Sequence, residues 1–164
     1  MAQQQFDLRP HRPDDIDWVV RRHREIYTQE YEWDSRFGDL VADIADKFVR
    51  EFDPSRERCW IAERNGERIG CVFLVRNTDE IAQLRLLLVD PAARGLGVGR
   101  TLVQECIDFA VACGYSTMRL WTNDVLHSAR RIYEAAGFKL IEEEEHSSWG
   151  TPLMSQTWEL DLVR

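Results

Sequence analysis

A glycine-rich segment between two apolar stretches constrains the fold of this chain more than any other feature. Glu80 to Val89 predicts a strand that ends in the apolar run Leu86 to Val89. The segment Arg94 to Gly99 follows, and apolar residues then recur at helical spacing from Leu102 to Val111. Met118 to Trp121 predicts a second strand. Because two strands joined through a helix usually lie parallel in one sheet, this unit predicts a parallel strand pair.

The rest of the chain predicts antiparallel strands and further helices. Asn65-Gly66 is a strong hairpin signal between two predicted strands. The predicted order is strand, two helices, three strands, helix, strand, helix and two strands, which indicates an α/β fold with a mixed sheet and helices on both faces. A length of 164 residues suits one domain, which we expect to span residues 1–164. Four helices are predicted. The first begins at Pro13, the second runs from about Arg36 to Phe52, the third from Leu102 to Gly114 and the fourth from Val125 to Ala136.

Charge and composition narrow the possible partners and the location. The net charge of −8 argues against a nucleic-acid surface, which needs clustered Lys and Arg. The same charge favours a cationic substrate, although acidity also simply keeps a protein in solution. No apolar stretch is long enough to cross a bilayer, and the first twelve residues lack the apolar core of a signal peptide, so we expect a cytoplasmic protein. The four cysteines show no metal-type spacing with histidine; we expect buried free thiols and no metal.

The glycine-rich segment has the position and composition of an anion-binding loop. The first turn of a helix has free backbone N–H groups and a partial positive charge, and glycines let a phosphate approach the backbone closely. Arg94 and Arg100 add two cations. A P-loop would need a Gly-Lys step, which is absent, and a dinucleotide fingerprint would need glycine where Arg100 stands. A tight turn without a ligand remains the alternative at this point.

Three segments in a fixed order resemble the GNAT family of N-acetyltransferases. They are Leu84 to Gly99, which contains the Arg-X-X-Gly-X-Gly spacing of the family's pyrophosphate loop, Leu120 to Asn123, and Arg131 to Phe138. The resemblance implies a mostly antiparallel seven-stranded sheet with a splayed central parallel pair. It also implies acetyl-CoA as cosubstrate.

Other segments narrow the resemblance to the acetyltransferase half of bacterial MarR–GNAT fusion proteins. These segments are Trp33 to Phe37, Phe52 to Glu63 and Gln156 to Leu160. The fusions carry a DNA-binding winged helix ahead of the transferase. Nothing that could form such a unit precedes Met1 in this sequence, so we do not expect DNA binding.

The family resemblance implies roles for individual residues. Backbone N–H groups from Leu96 to Thr101 would bind the pyrophosphate, and Leu87 to Val89 would pair with the pantetheine arm beside a β-bulge. Tyr133 would be the general acid for the departing thiolate, or else a packing residue. Asn123 would bond to the pantetheine or acetyl region, or else form a turn or cap with Asp124. The implied coenzyme-binding set is Leu87, Leu88, Val89, Arg94, Gly95, Leu96, Gly97, Val98, Gly99, Arg100, Thr101, Asn123, Ser128 and Arg130.

The acceptor side of the reaction is less defined by the sequence. Candidate general bases are Glu30, Glu32, Glu80 and His146, of which Glu30 and Glu32 are favoured because the N-terminal helices line the acceptor side in the family. The four carboxylates Glu142 to Glu145 predict a solvent-exposed edge strand or, alternatively, a negatively charged rim of the substrate cleft that attracts cations. Residues 146–150 predict a loop over the acceptor cleft.

The functional prediction is an acetyl-CoA-dependent N-acetyltransferase. Its acceptor would be a primary amine of a small molecule or a lysine-like group. The alternative is an acyl-CoA-binding sensor or partner module without transferase chemistry. A homodimer through the C-terminal strands is compatible with the family.

Overall fold

A seven-stranded sheet with two helices on each face organises residues 5–162, the part of the chain that the computed structural model describes. The predicted order of elements is confirmed. The predicted domain limits, Met1 and Arg164, lie outside the described residues. The helices are α1 (Asp15–Tyr31), α2 (Ser35–Glu51), α3 (Val98–Ala112) and α4 (His127–Ala136), with a short 3₁₀ turn at Pro91–Ala93. The strands are β1 (Asp7–Pro10), β2 (Arg58–Arg64), β3 (Glu67–Arg76), β4 (Ile81–Val89), β5 (Thr117–Asn123), β6 (Lys139–His146) and β7 (Leu153–Asp161).

The sheet has the strand order β1-β2-β3-β4-β5-β7-β6. Among the described strands, only β4 and β5 are parallel neighbours. Helix α3 makes the crossover between them, so the parallel pair falls where the glycine-rich segment predicts it. The mixed sheet with a central parallel pair is therefore confirmed.

Each face of the sheet is covered by its own apolar core. Along β2, Trp60 and Ala62 belong to the core under α3, whereas Cys59 and Ile61 belong to the core under α1 and α2. This alternation follows from the two-residue period of a strand. Both faces are apolar because both are covered by helices.

Three of the four cysteines are buried free thiols, as the sequence predicts. Burial raises the pKa of Cys59, Cys71 and Cys106, so these thiols are poor nucleophiles. Cys113 is partly exposed, which corrects the expectation for that residue, because it lies just past the end of α3.

Asp15 joins the start of α1 to the sheet. Its carboxylate is fully buried and accepts hydrogen bonds from the side chains of Arg9 and Arg68 and from the Arg12 backbone N–H, at 2.6 to 2.8 Å. Burial opposes ionisation of Asp15, but the hydrogen bonds outweigh it and hold the pKa of this carboxyl well below its usual range. The helix begins at Asp15 instead of the predicted Pro13, since the Asp15 N–H donates to the Arg12 carbonyl in a four-residue turn.

Candidate active site

A β-bulge interrupts β4 near its carboxyl end. Phe73 of β3 lies opposite Arg85, whereas Cys71 lies opposite Leu88, so three steps along β4 match two steps along β3. Leu86 takes up the extra residue with a φ of 52°, a left-handed conformation that costs a non-glycine residue about 1 kcal/mol. The sequence predicts a bulge beside Leu87 to Val89, and the observed bulge lies immediately N-terminal to this segment.

The parallel strands β4 and β5 separate beyond Leu84 and Leu120. Their pairing ends at these two residues, yet β4 continues to Val89 and β5 continues to Asn123. We call the resulting opening the strand gap. Two cavities of about 140 and 350 Å³ lie beside it. They share the lining residues Tyr27, Leu87, Leu126 and Ala129.

The smaller cavity lies between the end of β4, α1 and the start of α4. Helix α1 contributes Ile26, Tyr27 and Tyr31 to its lining. The structure therefore brings the strand end, the start of the glycine-rich segment and α4 to one place. Five members of the predicted coenzyme-binding set line this cavity: Leu87, Leu88, Val89, Arg94 and Ser128.

The glycine-rich segment presents consecutive backbone donors. Within residues 5–162, no acceptor is found for the backbone N–H groups of residues 95–100. Gly95 and Gly97 have φ values of 88° and 82°, and no atom lies within 4 Å of the place where a Cβ would stand. Gly97 is also the N-cap of α3, so the positive end of the helix dipole adds to these donors. Thr101 differs from the prediction, because its N–H and its hydroxyl both bond the Gly97 carbonyl, at 3.1 and 2.8 Å.

The remaining residues of the segment support its shape. Val98 is buried in the core, and Leu96 packs against the same core. A Cβ on Gly99 would meet Ile132 Cδ1 of α4 at 2.7 Å, so glycine allows α3 and α4 to approach closely at this point. Arg100 is exposed in the first turn of α3.

Arg94 is held by one of the carboxylates predicted as a base. Its Nη1 and Nη2 donate to the two carboxylate oxygens of Glu30, at 2.8 and 2.6 Å, in an exposed bidentate pair. The hydrogen bond to Glu30 raises the pKa of Arg94. Glu30 therefore positions Arg94 beside the smaller cavity, and its role as a base stays a prediction.

The larger cavity is lined mainly by aromatic and aliphatic side chains, and we call it the aromatic pocket. The ring centroids of Trp33 and Trp149 lie 4.6 Å apart, and Tyr27 stacks on Trp33 at 5.3 Å. The Asp34 N–H donates to the Trp149 carbonyl at 3.0 Å, which ties the predicted 146–150 loop to the junction of α1 and α2. Helix α2 adds Leu40, Val41 and Ile44, and β5 adds Trp121, Thr122 and Asn123.

Tyr133 lies where the aromatic pocket meets the core between α3 and α4. Its ring is 4% exposed and packs against the edge of Phe138, with a centroid distance of 5.8 Å. The residue lines the aromatic pocket, and nowhere in residues 5–162 does a group share a hydrogen bond with its hydroxyl. Burial raises the pKa of Tyr133 well above its usual range, so the hydroxyl keeps its proton.

Asn123, at the end of β5, is buried and oriented by a histidine. Its Oδ1 lies 2.7 Å from His146 Nε2. His146 Nδ1 accepts the Ser148 N–H at 3.3 Å, which leaves Nε2 as the donor toward Asn123. Asn123 and Asp124 do lie in a backbone turn, in which the Leu126 N–H donates to the Asn123 carbonyl at 3.1 Å. The Asp124 side chain forms neither an Asx-type turn nor a helix cap, because its Oδ1 accepts the Met154 N–H.

The other predicted bases lie away from the aromatic pocket. Glu32 is the exposed left-handed C-cap of α1, and Glu80 precedes β4 at the end opposite the bulge. His146 lies in a neighbouring surface cavity and contacts the pocket only through Asn123 and the tryptophans. Glu142 to Glu145 are exposed on the edge strand β6, as the solvated-edge alternative predicts. Within residues 5–162, no carboxylate lines the aromatic pocket.

Arg130 lies outside the two cavities beside the strand gap, and its predicted contact with the coenzyme stays a prediction. Its Nη1 donates to the Asp124 carbonyl at 2.9 Å. Its buried Nε has no partner within the described part of the chain. Arg130 therefore braces the turn between β5 and α4.

Two further polar residues that the sequence patterns do not single out line the aromatic pocket, His23 and Arg85. His23 Nδ1 bonds the Val19 carbonyl at 2.7 Å, and burial lowers the pKa of His23 to about 4, so the ring is neutral. Arg85 is partly buried and interrupts the apolar run Leu84 to Val89. A charge inside an apolar strand was the available signal for Arg85, whereas a histidine on an apolar helix face is usually a packing residue.

Neither a membrane span nor a metal cluster is found in residues 5–162. No helix there is long and apolar enough to cross a bilayer. No group of three or more His, Cys, Asp or Glu side chains is placed to hold a metal ion.

Residues 16–138, well over half of the chain, match the model of the acetyltransferase (GNAT) family. The chain belongs to this family. It is 32% identical over 137 residues to an uncharacterized N-acetyltransferase of Schizosaccharomyces pombe, covering 82% of this chain and 83% of that relative. Membership in the GNAT family makes it an acetyl-CoA-dependent N-acyltransferase, as the sequence predicts.

Other relatives match over a smaller share of their length. The chain is 33% identical over 107 residues to the N-acetylaspartate synthetase of Danio rerio, which is 65% of this chain but 38% of that relative. It therefore spans well under half of the zebrafish protein.

Solved structures show the same GNAT fold. An acetyltransferase from Streptococcus agalactiae has a TM-score of 0.79 at 22% identity, covering 98% of this chain and all of that chain. A putative acetyltransferase from Salmonella typhimurium, solved with its cofactor acetyl-CoA, has a TM-score of 0.76 at 19% identity, covering 97% of this chain and 95% of that chain.

Proposed function

We propose that this GNAT protein transfers an acetyl group from acetyl-CoA to a primary amine that binds in the aromatic pocket. The observation that carries the proposal is the strand gap. Unpaired backbone donors lie on one side of it, and the unpartnered Tyr133 hydroxyl lines the pocket on the other. A donor and an acceptor that meet at such an opening would be held together in one orientation, which lowers the barrier to transfer.

The glycine-rich segment fits the pyrophosphate of the coenzyme. The free N–H groups of residues 95–100, the open space beside Gly95 and Gly97, and the start of α3 together form an anion site. Arg94 and Arg100 add positive charge beside it. We assign the coenzyme contacts of the predicted set to these residues, to Leu87 through Val89 and to Ser128.

Tyr133 and Asn123 fit the reacting end of the coenzyme. When bound, acetyl-CoA supplies a thioester whose carbonyl carbon is attacked by the amine while the bond to sulfur breaks. The Tyr133 hydroxyl would donate a proton to the departing sulfur and regain one from solvent, while the acylated nitrogen loses its extra proton to water. The Asn123 side chain, held by His146, is the proposed polar contact to the pantetheine or acetyl region.

No carboxylate among the described residues lines the aromatic pocket, so we propose that the acceptor ammonium loses its proton to water before attack. The pH profile of kcat/KM should then rise through the amine pKa of each acceptor. An inflection that stays at one pH for acceptors of different pKa would instead indicate a base in the protein, and Glu30 and Glu32 would be the first variants to examine.

Several finer features remain proposals. The acceptor is a small-molecule amine or a lysine-like group, and the name of the zebrafish relative makes amino acids a natural part of any panel. We retain a cytoplasmic location, a single domain, a possible homodimer through the C-terminal strands and the likeness to MarR–GNAT transferases as predictions. The net charge of −8 supports an acceptor other than nucleic acid.

A thiol-release screen tests the proposal. The chain is incubated with acetyl-CoA and separate amines, including amino acids, polyamines, aminoglycosides and lysine peptides. We expect thiol release with at least one class, together with an equimolar N-acetyl product detected by mass spectrometry. Coenzyme binding without thiol release from any amine would support the sensor alternative.

A further inference from the structure

We propose that the acceptor carries a carboxylate next to its amine and that Arg85 binds this carboxylate in the aromatic pocket. The inference rests on the proposed function, because it specifies the acceptor of the same site. The ligand class is an α-amino acid with an apolar or aromatic side chain.

Arg85 is a partly buried cation that lacks an anionic partner. Comparable arginines in this fold are paired: Arg9 with Asp15, Arg22 with Asp90, and Arg68 with Asp15, at 2.7 to 2.9 Å. For Arg85, no carboxylate of residues 5–162 lies within ion-pair distance. Burial lowers the pKa of Arg85, and no neighbouring charge offsets that effect. A partly buried guanidinium of this kind is stabilised when a ligand supplies the missing negative charge.

The acidic residues that share a surface groove with Arg85 do not pair with it. Four of them line the groove, Asp43, Glu51, Asp53 and Glu57, and none lies within ion-pair distance of Arg85. Glu57 accepts the backbone N–H groups of Asp53 and Arg76, at 3.1 and 3.0 Å, and Asp53 bonds Ser55. Glu57 and Asp53 therefore stabilise the loop after α2 and do not neutralise Arg85.

The position of Arg85 suits an α-amino acid. Arg85 directly precedes the bulge residue Leu86, and both line the aromatic pocket beside the strand gap. An α-amino nitrogen is only two bonds from the carboxylate carbon, so a carboxylate on Arg85 keeps the amine close to the bulge and the reacting end of the coenzyme. The guanidinium fork matches a carboxylate bidentately, which also fixes the orientation of the acceptor.

The rest of the pocket suits an apolar side chain. Trp33, Phe37, Trp149 and the aliphatic residues of α2 line a volume of about 350 Å³. This space is large enough for one aromatic side chain, and aromatic walls bind such rings well. The pocket therefore offers one cation and a mostly apolar surface, which are complementary to a hydrophobic amino acid.

The test compares acceptors that differ only in the carboxylate. L-phenylalanine, L-phenylalaninamide and phenethylamine are assayed by thiol release with the wild type, Arg85→Met and Arg76→Met. We expect Arg85→Met to lower kcat/KM for phenylalanine by roughly 10- to 100-fold, the loss typical of a charge-assisted contact, and to change the other two acceptors by less than about threefold. Arg76 is the control, because it lines the same groove as Arg85 but not the aromatic pocket.

A binding measurement separates this inference from the proposed function. N-acetyl-L-phenylalanine and its amide are titrated calorimetrically into the coenzyme-free chain and its variants, which requires no chemistry. The inference is supported if the wild type binds N-acetyl-L-phenylalanine more tightly than its amide and Arg85→Met binds the two equally. This holds even if no amine is turned over. Equal binding of both forms by the wild type, or equal losses for all acceptors, overturns it while leaving transferase activity intact. If Arg85→Met fails to fold, Arg85→Lys takes its place. This variant keeps the positive charge but cannot bind a carboxylate bidentately, so it should give an intermediate loss of kcat/KM for phenylalanine.

Discussion

Tyr133 is the residue on which the proposed chemistry depends most. Its ring is packed in the core beside Phe138, whereas its hydroxyl lacks a hydrogen-bond partner within residues 5–162 and the residue lines the aromatic pocket. The hydroxyl oxygen is not one of the fully buried unpartnered atoms of the described residues, so it is open to a group that enters the pocket. The raised pKa keeps the proton on the phenol, so the hydroxyl can donate a hydrogen bond to a departing thiolate.

The Tyr133→Phe variant should separate chemistry from binding. We expect kcat to fall about 100-fold, because a positioned acid contributes on this scale, while the dissociation constant of acetyl-CoA changes little. Tyr115→Phe is the matched control, since Tyr115 is equally buried but its hydroxyl bonds the Arg56 carbonyl at 2.8 Å away from both cavities. Full activity of Tyr133→Phe at every pH would show that this hydroxyl is not the acid.

At the scale of an element, the segment before α3 combines conformation with binding. Gly97 can adopt its φ of 82° without a Cβ penalty, and the open space beside it is where the phosphate would lie. The same two requirements do not meet at the other end of α3. Gly114 has a similar φ of 88° and equally open space beside its Cα, but it lies at the opposite end of α3 from the free N–H groups of residues 95–100.

Gly97→Ala and Gly114→Ala therefore form a matched pair. Both variants should lower the free energy of unfolding by about 1 kcal/mol, because alanine is strained in this conformation. Only Gly97→Ala should raise the dissociation constant of coenzyme A, by roughly tenfold. Calorimetric titration and urea unfolding measure the two effects. Equal coenzyme affinity in both variants would contradict the assignment of the phosphate site.

The start of α1 depends on one buried carboxylate. Asp15→Asn should lower the free energy of unfolding by about 3 kcal/mol at pH 7, since it leaves partly buried arginines without their partner. Because folding lowers the pKa of Asp15, its contribution is complete above the ordinary carboxyl pKa of about 4 and is lost as the pH falls toward the folded-state value.

Urea unfolding of both chains as a function of pH measures this contribution. The difference between wild type and Asp15→Asn should shrink below about pH 4. The neighbouring Asp14→Asn is the control, because Asp14 is exposed and pairs only with Arg68, so its effect should stay within about 0.5 kcal/mol. If the difference in the free energy of unfolding between wild type and Asp15→Asn did not change with pH, Asp15 would not be ionised in the folded protein.

For the whole molecule, the sequence predicted the fold well and the acceptor side poorly. Element order follows from apolar periodicity and turn signals, which are local, and the family motifs supplied the topology. The partners of Arg94 and Arg85 depend on contacts between distant segments, such as Glu30 meeting Arg94 across 64 residues. Periodicity carries no information on such pairings, so it predicts neither the ion pair of Glu30 with Arg94 nor the place of Arg85 in the aromatic pocket.

The most direct test of the whole account is a crystal structure with a non-reactive acetyl-CoA analogue in which a methylene replaces the thioester sulfur. We predict pyrophosphate oxygens within about 3.2 Å of backbone nitrogens in residues 95–100. We also predict the acetyl carbonyl in the strand gap, with the methylene about 3.5 Å from the Tyr133 hydroxyl. A pyrophosphate bound away from this segment, or an acetyl group outside the strand gap, would contradict the proposed mechanism.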